Sequence, residues 1–364
     1  MQALILVGGH GTRLRPITLT LPKPVIPLVD RPFLRYMIDW LARHGVDDIV
    51  MACGFLPDQL RATFGDQIPG GPRLRYVEEP EPRGTAGAIK FASNLLEDRF
   101  FALNGDSLTD LDLTALMDRH TTSGARATLG LFPVEDPSAF GLVRRAEDGE
   151  IHEFLEKPDP AEIDTDEVSA GMYVLEKEVL DLVPADQDVS IERELFPLLV
   201  GDGLYSRRLE GYWMDIGTPE RYLDACWDIL GRRVESEPGS MVDAEGRYVS
   251  PDAEVDPGAT VAGECFVDAD AVVAANAQIG PRAVLGPGVS VGDGSRVESS
   301  ALHPACRIGP DAKISGSILA SGVVVEDGGV VPEGSMIGSG ATITVDAALE
   351  PGARVQPEET VAGV

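Results

Sequence analysis

Apolar and polar positions follow two different periods along this chain, and the change falls near residue 250. In the first part the apolar residues come as short unbroken runs. Ala3 to Val7, Asp48 to Cys53, Leu74 to Val77, Phe100 to Leu103 and Ala127 to Phe132 are too short for helices and end at glycine or polar residues, which predicts buried strands. Between them, Phe33 to His44, Asp58 to Phe64, Thr85 to Leu96 and Leu113 to His120 carry apolar residues at helical spacing, the first with Gly45 as its stop signal. Strands alternating with helices predict an α/β domain whose mostly parallel sheet is covered on both faces. Leu142 to Arg145 and Ile151 to Glu156 flank Asp148-Gly149, a hairpin turn pair, and interrupt that alternation. Met172 to Leu175 reads as a further strand, and Ile191 to Leu199 and Glu220 to Arg233 as the closing helices.

The second period is six. Val255, Val261, Val267, Val273, Ile279, Leu285, Val291 and Val297 recur at that interval, with small residues such as Ala259, Cys265, Ala271 and Ala277 between them. The register slips by one near His303 and again near Ala320, then runs from Val325 to Val361. A strict hexapeptide repeat predicts a parallel β-helix with its branched residues stacked inside. The expected division is therefore a first domain over 1–235, a polar Gly- and Pro-containing linker over 236–250, and a solenoid over 251–364.

Composition narrows the chemistry. The 364 residues include 30 basic and 60 acidic side chains, a net charge of −30 that opposes binding to nucleic acid or anionic membranes. No apolar run is long enough to cross a bilayer, and the chain starts directly on a strand with no leader-like segment. Cys53, Cys226, Cys265 and Cys306 lack ligand spacing, so they read as free thiols of a cytoplasmic protein.

Against that acidity, the stretch Gly8-Gly9-His10-Gly11-Thr12-Arg13 through Pro22-Lys23-Pro24 concentrates cations. A strand running into three glycines exposes backbone N–H groups at the end of a sheet, where anions bind, while Arg13, Arg15 and Lys23 supply charge. It is neither a dinucleotide fingerprint nor a Walker loop, because no third glycine opens a helix at the required offset and no Gly-Lys-Ser/Thr follows. A phosphate is the expected guest. Asp106, in Asn104-Gly105-Asp106 after a buried strand, and Asp215, ahead of Gly-Thr-Pro219, are carboxylates that could hold Mg²⁺ against phosphate oxygens. Their plainer readings are a turn and a helix cap.

The run Leu6 to Thr18 with Pro22-Lys23-Pro24 resembles the signature of the sugar-1-phosphate nucleotidylyltransferases. The resemblance implies a Rossmann-like nucleotidyltransferase domain followed by a left-handed parallel β-helix. It implies an enzyme that joins a nucleoside triphosphate to a sugar 1-phosphate and releases pyrophosphate. On that likeness Leu6, Gly8, Gly9, Gly11, Thr12, Arg13 and Lys23 take the nucleotide, with Arg13 and Lys23 on the departing pyrophosphate. Asp106 and Asp215 hold the metal. Glu156-Lys157-Pro158 resembles the family's sugar-phosphate site, with Lys157 on the incoming phosphate and Glu156 on sugar hydroxyls. Gly141 and Gly171 pass backbone near the same sugar, and Ser169 stands where the family usually has asparagine.

Gly84-Thr85 lies between a strand end and a helix, placed to receive the base, or else is only a helix start capped by Thr85. Its Gly-Thr-Ala-Gly form resembles the guanylyl-transferring branch that acts on mannose 1-phosphate, implying GTP as donor. Thymidylyl or another nucleotidyl transfer is the alternative within the class. From other classes come a hexapeptide-repeat acyltransferase, with His303 as its one candidate base, and a non-catalytic sensor of nucleotide sugars. The solenoid's flat faces suit packing between copies, so a homo-oligomer is expected.

Overall fold

Ala3, Leu4 and Ile5 are fully buried, as a run without a polar face must be, and they form the middle of the first sheet. The computed structural model describes residues 1–54, 57–139, 141–156 and 163–363. Their contacts gather into two compact units: Met1–Gly9 with Tyr36–Trp213, and His10–Arg35 with Met214–Val364.

In the first unit the chain alternates β1 (Gln2–Leu6), α1 (Phe33–Arg43, which begins in the other unit), β2 (Asp48–Cys53), α2 (Pro57–Phe64), β3 (Arg73–Glu78), α3 (Gly84–Phe91), β4 (Arg99–Asn104), α4 (Leu113–Ser123) and β5 (Ala127–Pro133). Then come β6 (Gly141–Arg145), β7 (Ile151–Glu156), β8 (Glu167–Glu176) and β9 (Leu204–Arg208). β1 pairs in parallel with β2 on one side and β4 on the other, and β3 extends the parallel part beyond β2. β8 turns the sheet mixed, running antiparallel to β4, β5 and β6. The β6–β7 hairpin forms around Gly149, which has φ 84°.

Helix α3 stops at Phe91 and a 3₁₀ turn, Ser93–Leu95, finishes the segment expected as one helix. The strand expected over 172–175 runs from Glu167 to Glu176, because its first half pairs as well. Between Ser169 and Tyr173 its register against β5 shifts, and Gly171, with φ 68°, sits in that bulge. The bulge turns the strand's backbone toward the end of β4.

In the second unit, α5 (Pro219–Leu230) starts at Thr218, whose hydroxyl accepts from the Arg221 N–H at 3.3 Å. Thr218 is the cap of this helix, so Asp215 is left for another purpose. Residues 236–250, expected as a linker, contain a helical turn, Glu237–Met241, and a strand, Arg247–Val249. That strand pairs in parallel with Cys265–Val267 and opens the first rung.

From there the chain is a left-handed parallel β-helix whose described strands form three parallel sheets. Val267, Leu285, Leu302, Leu319, Ile337 and Val355 stack along one interior edge. The pairs Leu285↔Leu302 and Leu302↔Leu319 are one residue closer in sequence than Val267↔Leu285. The slips therefore sit at two tightened corners, where Ser299 and Gly316 have φ 48° and 55°. On the same sheet the outward row Phe266, Val284, Ala301, Ile318 and Met336 is apolar and buried, so this face is covered. Among the described residues no helix is long and apolar enough to cross a membrane.

Candidate functional site

In the first unit, the ends of β1, β2 and β4 meet at a corner lined by glycine. The Gly105 N–H donates to Leu6 O at 3.0 Å, and a Cβ at Gly105 would lie 2.7 Å from that oxygen. A Cβ at Gly54 would lie 3.1 Å from Gly8 O, so these two loops touch backbone to backbone. Gly9 is exposed, and a Cβ there would meet nothing within 4 Å. The corner thus presents bare main chain where strands end.

Asp106 follows directly and is half-buried. Behind it, a Cβ on Gly171 would lie 2.5 Å from the Asn104 amide nitrogen, so the bulge in β8 rests on the residue that leads into Gly105-Asp106. Ser169 is buried in that bulge, its Oγ 3.5 Å from the Tyr173 hydroxyl, which donates to Glu192 Oε1 at 2.8 Å. Gly141 and Glu156 are cross-strand partners at the ends of β6 and β7. Lys157 lies outside the described residues.

Gly84 and Thr85 are held by the segment 187–191. The Ala86 N–H donates to Val189 O at 2.9 Å and the Thr85 hydroxyl accepts from the Ile191 N–H at 2.8 Å. A Cβ on Gly84 would stand 2.4 Å from Asp188 Oδ1, and one on Gly87 would stand 2.5 Å from Gln187 O. Thr85 is therefore not the cap: α3 begins at Gly84, with Arg83 at the cap position and no side-chain capping bond to the helix. Close packing of a second loop already requires both glycines.

Glu79 was given no role from sequence. It stands just past β3 with a carboxylate oxygen 3.9 Å from the Cβ position of Gly8. Burial raises its pKa above the usual carboxylate value, opposed by the backbone N–H and the charge of Arg83. A Glu-Pro step directly after a strand end is the one signal that could have marked it.

In the second unit, the loop after Gly9 folds on itself. Gly11 has φ 57°, the Thr18 hydroxyl donates to its carbonyl at 2.9 Å, and its Cβ position is 3.3 Å from Lys23 Cβ. Thr12–Leu14 and Lys23–Val25 are 3₁₀ turns, so Arg13 and Lys23 project from neighbouring turns of one compact loop. Arg13 and Arg15 are exposed, and neither has a carboxylate partner among the described residues.

Asp215 is half-buried in the same unit, and its Oδ1 is ion-paired with Arg221 Nη1. Gly217 separates it from Arg13. A Cβ there would stand 3.0 Å from Asp215 Oδ2 and 2.9 Å from Arg13 Nη2. Arg221, on the first turn of α5, is the partner that sequence reading missed. Among the described residues no three His, Cys, Asp or Glu side chains gather into a metal cage.

His303, the candidate acyl-transfer base, is buried, and its pKa is pushed down to about 4 by burial alone. An imidazole that resists protonation to that degree is a weak general base.

Residues 2–231 match the family model described as nucleotidyl transferase, and 261–363 match the one described as GMPPB C-terminal domain. The mannose-1-phosphate guanylyltransferase of Mycobacterium tuberculosis is 39% identical over 268 residues, covering 72% of this chain and 74% of that protein. The mannose-1-phosphate guanyltransferase of Kluyveromyces lactis is 38% identical over 271 residues, covering 72% of this chain and 73% of that protein. Among solved structures, HddC from Yersinia pseudotuberculosis superposes with a TM-score of 0.54 at 28% identity, over 62% of this chain and 97% of that one. The same protein complexed with GMP-PN gives a TM-score of 0.53 at 27% identity, with the same coverage of both chains.

Proposed function

The chain belongs to the nucleotidyl transferase family, and from that premise we propose that it transfers the guanylyl group of GTP to mannose 1-phosphate, giving GDP-mannose and pyrophosphate. The observation that carries this reading is the glycine loop that ends β1 and leads to exposed Arg13 and Arg15 and to Lys23, three cations close together in a chain with a net charge of −30. They receive the polyanion. The names of the relatives and the GMP-PN bound to the Yersinia protein support guanine and mannose.

The incoming phosphate has a second pKa of about 6, so near pH 7 it is already a dianion and needs no general base. Catalysis then rests on alignment and on charge neutralisation at the α-phosphorus. Gly8, Gly9, Gly11 and Thr12 offer backbone donors to the triphosphate, and Arg13 with Lys23 takes up the charge that develops on the departing pyrophosphate. Lys157 grips the attacking phosphate, while Gly141, Glu156, Ser169 and Gly171 line the sugar.

The family generally uses a divalent metal, which we take to be Mg²⁺, and Asp106 and Asp215 would hold it. Carboxylates suit an ion that keeps waters and phosphate oxygens in its shell, as Mg²⁺ does. When bound, it neutralises phosphate charge as a Lewis acid.

Glu79 supports the choice of base. Guanine offers adjacent N1–H and N2–H donors to a carboxylate. Thymine flanks its one N–H with two carbonyls, which a carboxylate repels. Gly84 and Thr85 border the same edge.

We assign chemistry to residues 1–235 and assembly between copies, in the cytoplasm, to the solenoid over 251–364. The test is pyrophosphate release from GTP, dTTP, UTP and ATP, each with mannose and glucose 1-phosphates and Mg²⁺. GTP with mannose 1-phosphate should be fastest. A faster reaction with dTTP and glucose 1-phosphate would replace this reading with thymidylyl transfer.

A further inference from the structure

Ser169 to Gly171, the bulge of β8, is gripped by side chains from three other stretches of the first unit. The Trp213 indole N–H donates to Ala170 O at 3.0 Å, and its ring packs against Phe132 of β5 with centroids 5.8 Å apart. The Cβ position of Gly171 meets the Asn104 amide. From the third side, Glu192 Oε1 accepts the hydroxyl proton of Tyr173 at 2.8 Å. Tyr173 is fully buried, its ring edge-on to Phe196 at 5.0 Å.

An ionised carboxylate can only accept, so the one phenolic proton of Tyr173 is committed to Glu192 and its oxygen is left as an acceptor. Ser169 Oγ lies 3.5 Å from that oxygen, and the Gly171 N–H meets the same Oγ at 3.4 Å. Both contacts are longer than a full hydrogen bond, so they bias the serine rotor rather than lock it. The bias has a direction. The Ser169 proton turns toward Tyr173, and a lone pair of Oγ is left for a hydroxyl that donates.

Glu192 can hold Tyr173 because its own backbone is fixed. It follows the segment 187–191, where the Val189 N–H donates to Arg83 O at 2.9 Å and the Ile191 N–H donates to the Thr85 hydroxyl at 2.8 Å. It sits in one wide π turn, Ile191–Leu195, whose start is tied by the Ser190 hydroxyl accepting from the Arg193 N–H at 3.3 Å and the Ser190 N–H donating to Glu194 at 2.7 Å. Such turns are rare and recur at functional sites. Of the three polar side chains in this one, Glu192 is the one turned inward, among Tyr173, Ile191, Leu195 and Phe196 of the apolar core. Apolar residues at 173 and 192 would fill that space without desolvating a carboxylate, so packing alone does not call for the pair.

We propose that Glu192 is a positioning residue for the incoming sugar 1-phosphate: through Tyr173 it sets the Ser169 hydroxyl as an acceptor for a sugar hydroxyl and holds the bulge that carries Gly171. This rests on the sugar 1-phosphate reading above, and Glu192 acts in it through its neighbours.

The test is steady-state kinetics of the full-length protein with whichever triphosphate and sugar 1-phosphate the wild-type chain uses fastest. A wrong base or hexose then shows in the choice of substrates, and a wrong role for Glu192 shows in the variants. Tyr173→Phe, which removes only the hydroxyl, and Glu192→Ala should each raise KM for the sugar 1-phosphate about tenfold, while KM for the triphosphate stays within about twofold. Glu192→Gln keeps an acceptor for the phenol and should recover most of that loss. The double variant Tyr173→Phe with Glu192→Ala should be no worse than the poorer single one, because both remove the same link. A residue that served only the fold would move both KM values or neither. Equal KM shifts for the two substrates, an unchanged sugar KM in Tyr173→Phe, or additive losses in the double variant would each overturn the proposal. If Glu192→Ala does not fold, Tyr173→Phe beside Glu192→Gln still decides it. A wild-type chain inactive with every pair would overturn the reaction itself, and this proposal with it.

Discussion

Asp215 and Arg221 are joined by an ion pair that spans the start of helix α5, with Thr218 capping the helix between them. The carboxylate assigned to the metal is thus already neutralised by a guanidinium, with Arg13 close on its other side. A divalent ion must compete with Arg221 for Oδ1, so the pair lowers metal affinity before nucleotide arrives. Arg221 is 41% exposed, which limits the pair to about 1 kcal/mol or less. Arg221→Gln should tighten Mn²⁺ binding by about two- to fivefold, read by the paramagnetic resonance of free Mn²⁺. Asp215→Asn should weaken it and lower turnover roughly a hundredfold with the melting temperature nearly unchanged. Tighter Mn²⁺ binding by the asparagine variant would refute the assignment.

Glu79 should govern the choice of base. Glu79→Gln replaces a group that only accepts with one that both donates and accepts, which suits thymine and uracil better than a carboxylate does. The ratio of kcat/KM for GTP over dTTP should fall roughly ten- to a hundredfold, chiefly through loss of the GTP reaction. An unchanged ratio would mean that the base is read elsewhere.

Gly171→Ala should damage activity more than stability. The position has φ 68°, and the new methyl would press on the Asn104 amide, displacing the residue that leads into Asp106. A stability loss of about 1 to 3 kcal/mol is expected in urea unfolding, with a further loss in kcat/KM of tenfold or more. Gly124 gives the control. It has φ 63° at the end of α4 with nothing within 4 Å of its Cβ position, so Gly124→Ala should cost about 1 kcal/mol and leave kinetics alone.

Acid should destabilise the fold above the range where carboxylates titrate. Burial depresses the pKa of His303 to about 4 and lowers that of His120, so the native chain refuses protons that the unfolded chain takes up near 6.5. Native stability is then full above pH 6.5 and falls as pH drops toward 4. His303 contributes a loss on the order of 3 kcal/mol across that window. His303→Gln should flatten the decline in melting temperature between pH 7 and 5. A wild-type curve that is level over this interval would contradict the buried, neutral imidazole.

The parts of this molecule that repeat or alternate were legible in its sequence. Ala3 to Val7 reads as a buried strand because nothing polar interrupts it, and the solenoid announces itself through Val255 and its successors. The glycine loop was legible too, since cations are scarce in this chain. Partnerships across long separations were not. Nothing near Tyr222 points to His303, and nothing near Gly84 points to the segment 187–191. Gly84 and Thr85 read from sequence as a place for a base, but the backbone that packs against Gly84 and Gly87 comes from a hundred residues further on and leaves no local signal. Arg221 escaped notice because an arginine on a first helical turn has no pattern that distinguishes it from a solvated one.

The solenoid's rungs stack on their neighbours, and several also meet other parts of the second unit: those carrying Val284 and Leu302 border the hairpin Pro27–Pro32 and Tyr222, and Ser339, beyond Ile337, has its Oγ 3.2 Å from the Thr20 hydroxyl in the loop between Arg13 and Lys23. Whole turns at the far end are therefore not expendable, because removing the one that carries Ser339 takes a contact from that loop. A single residue added at the tightened corner of Ser299 would rotate every later rung, Ser339 included, against what it touches.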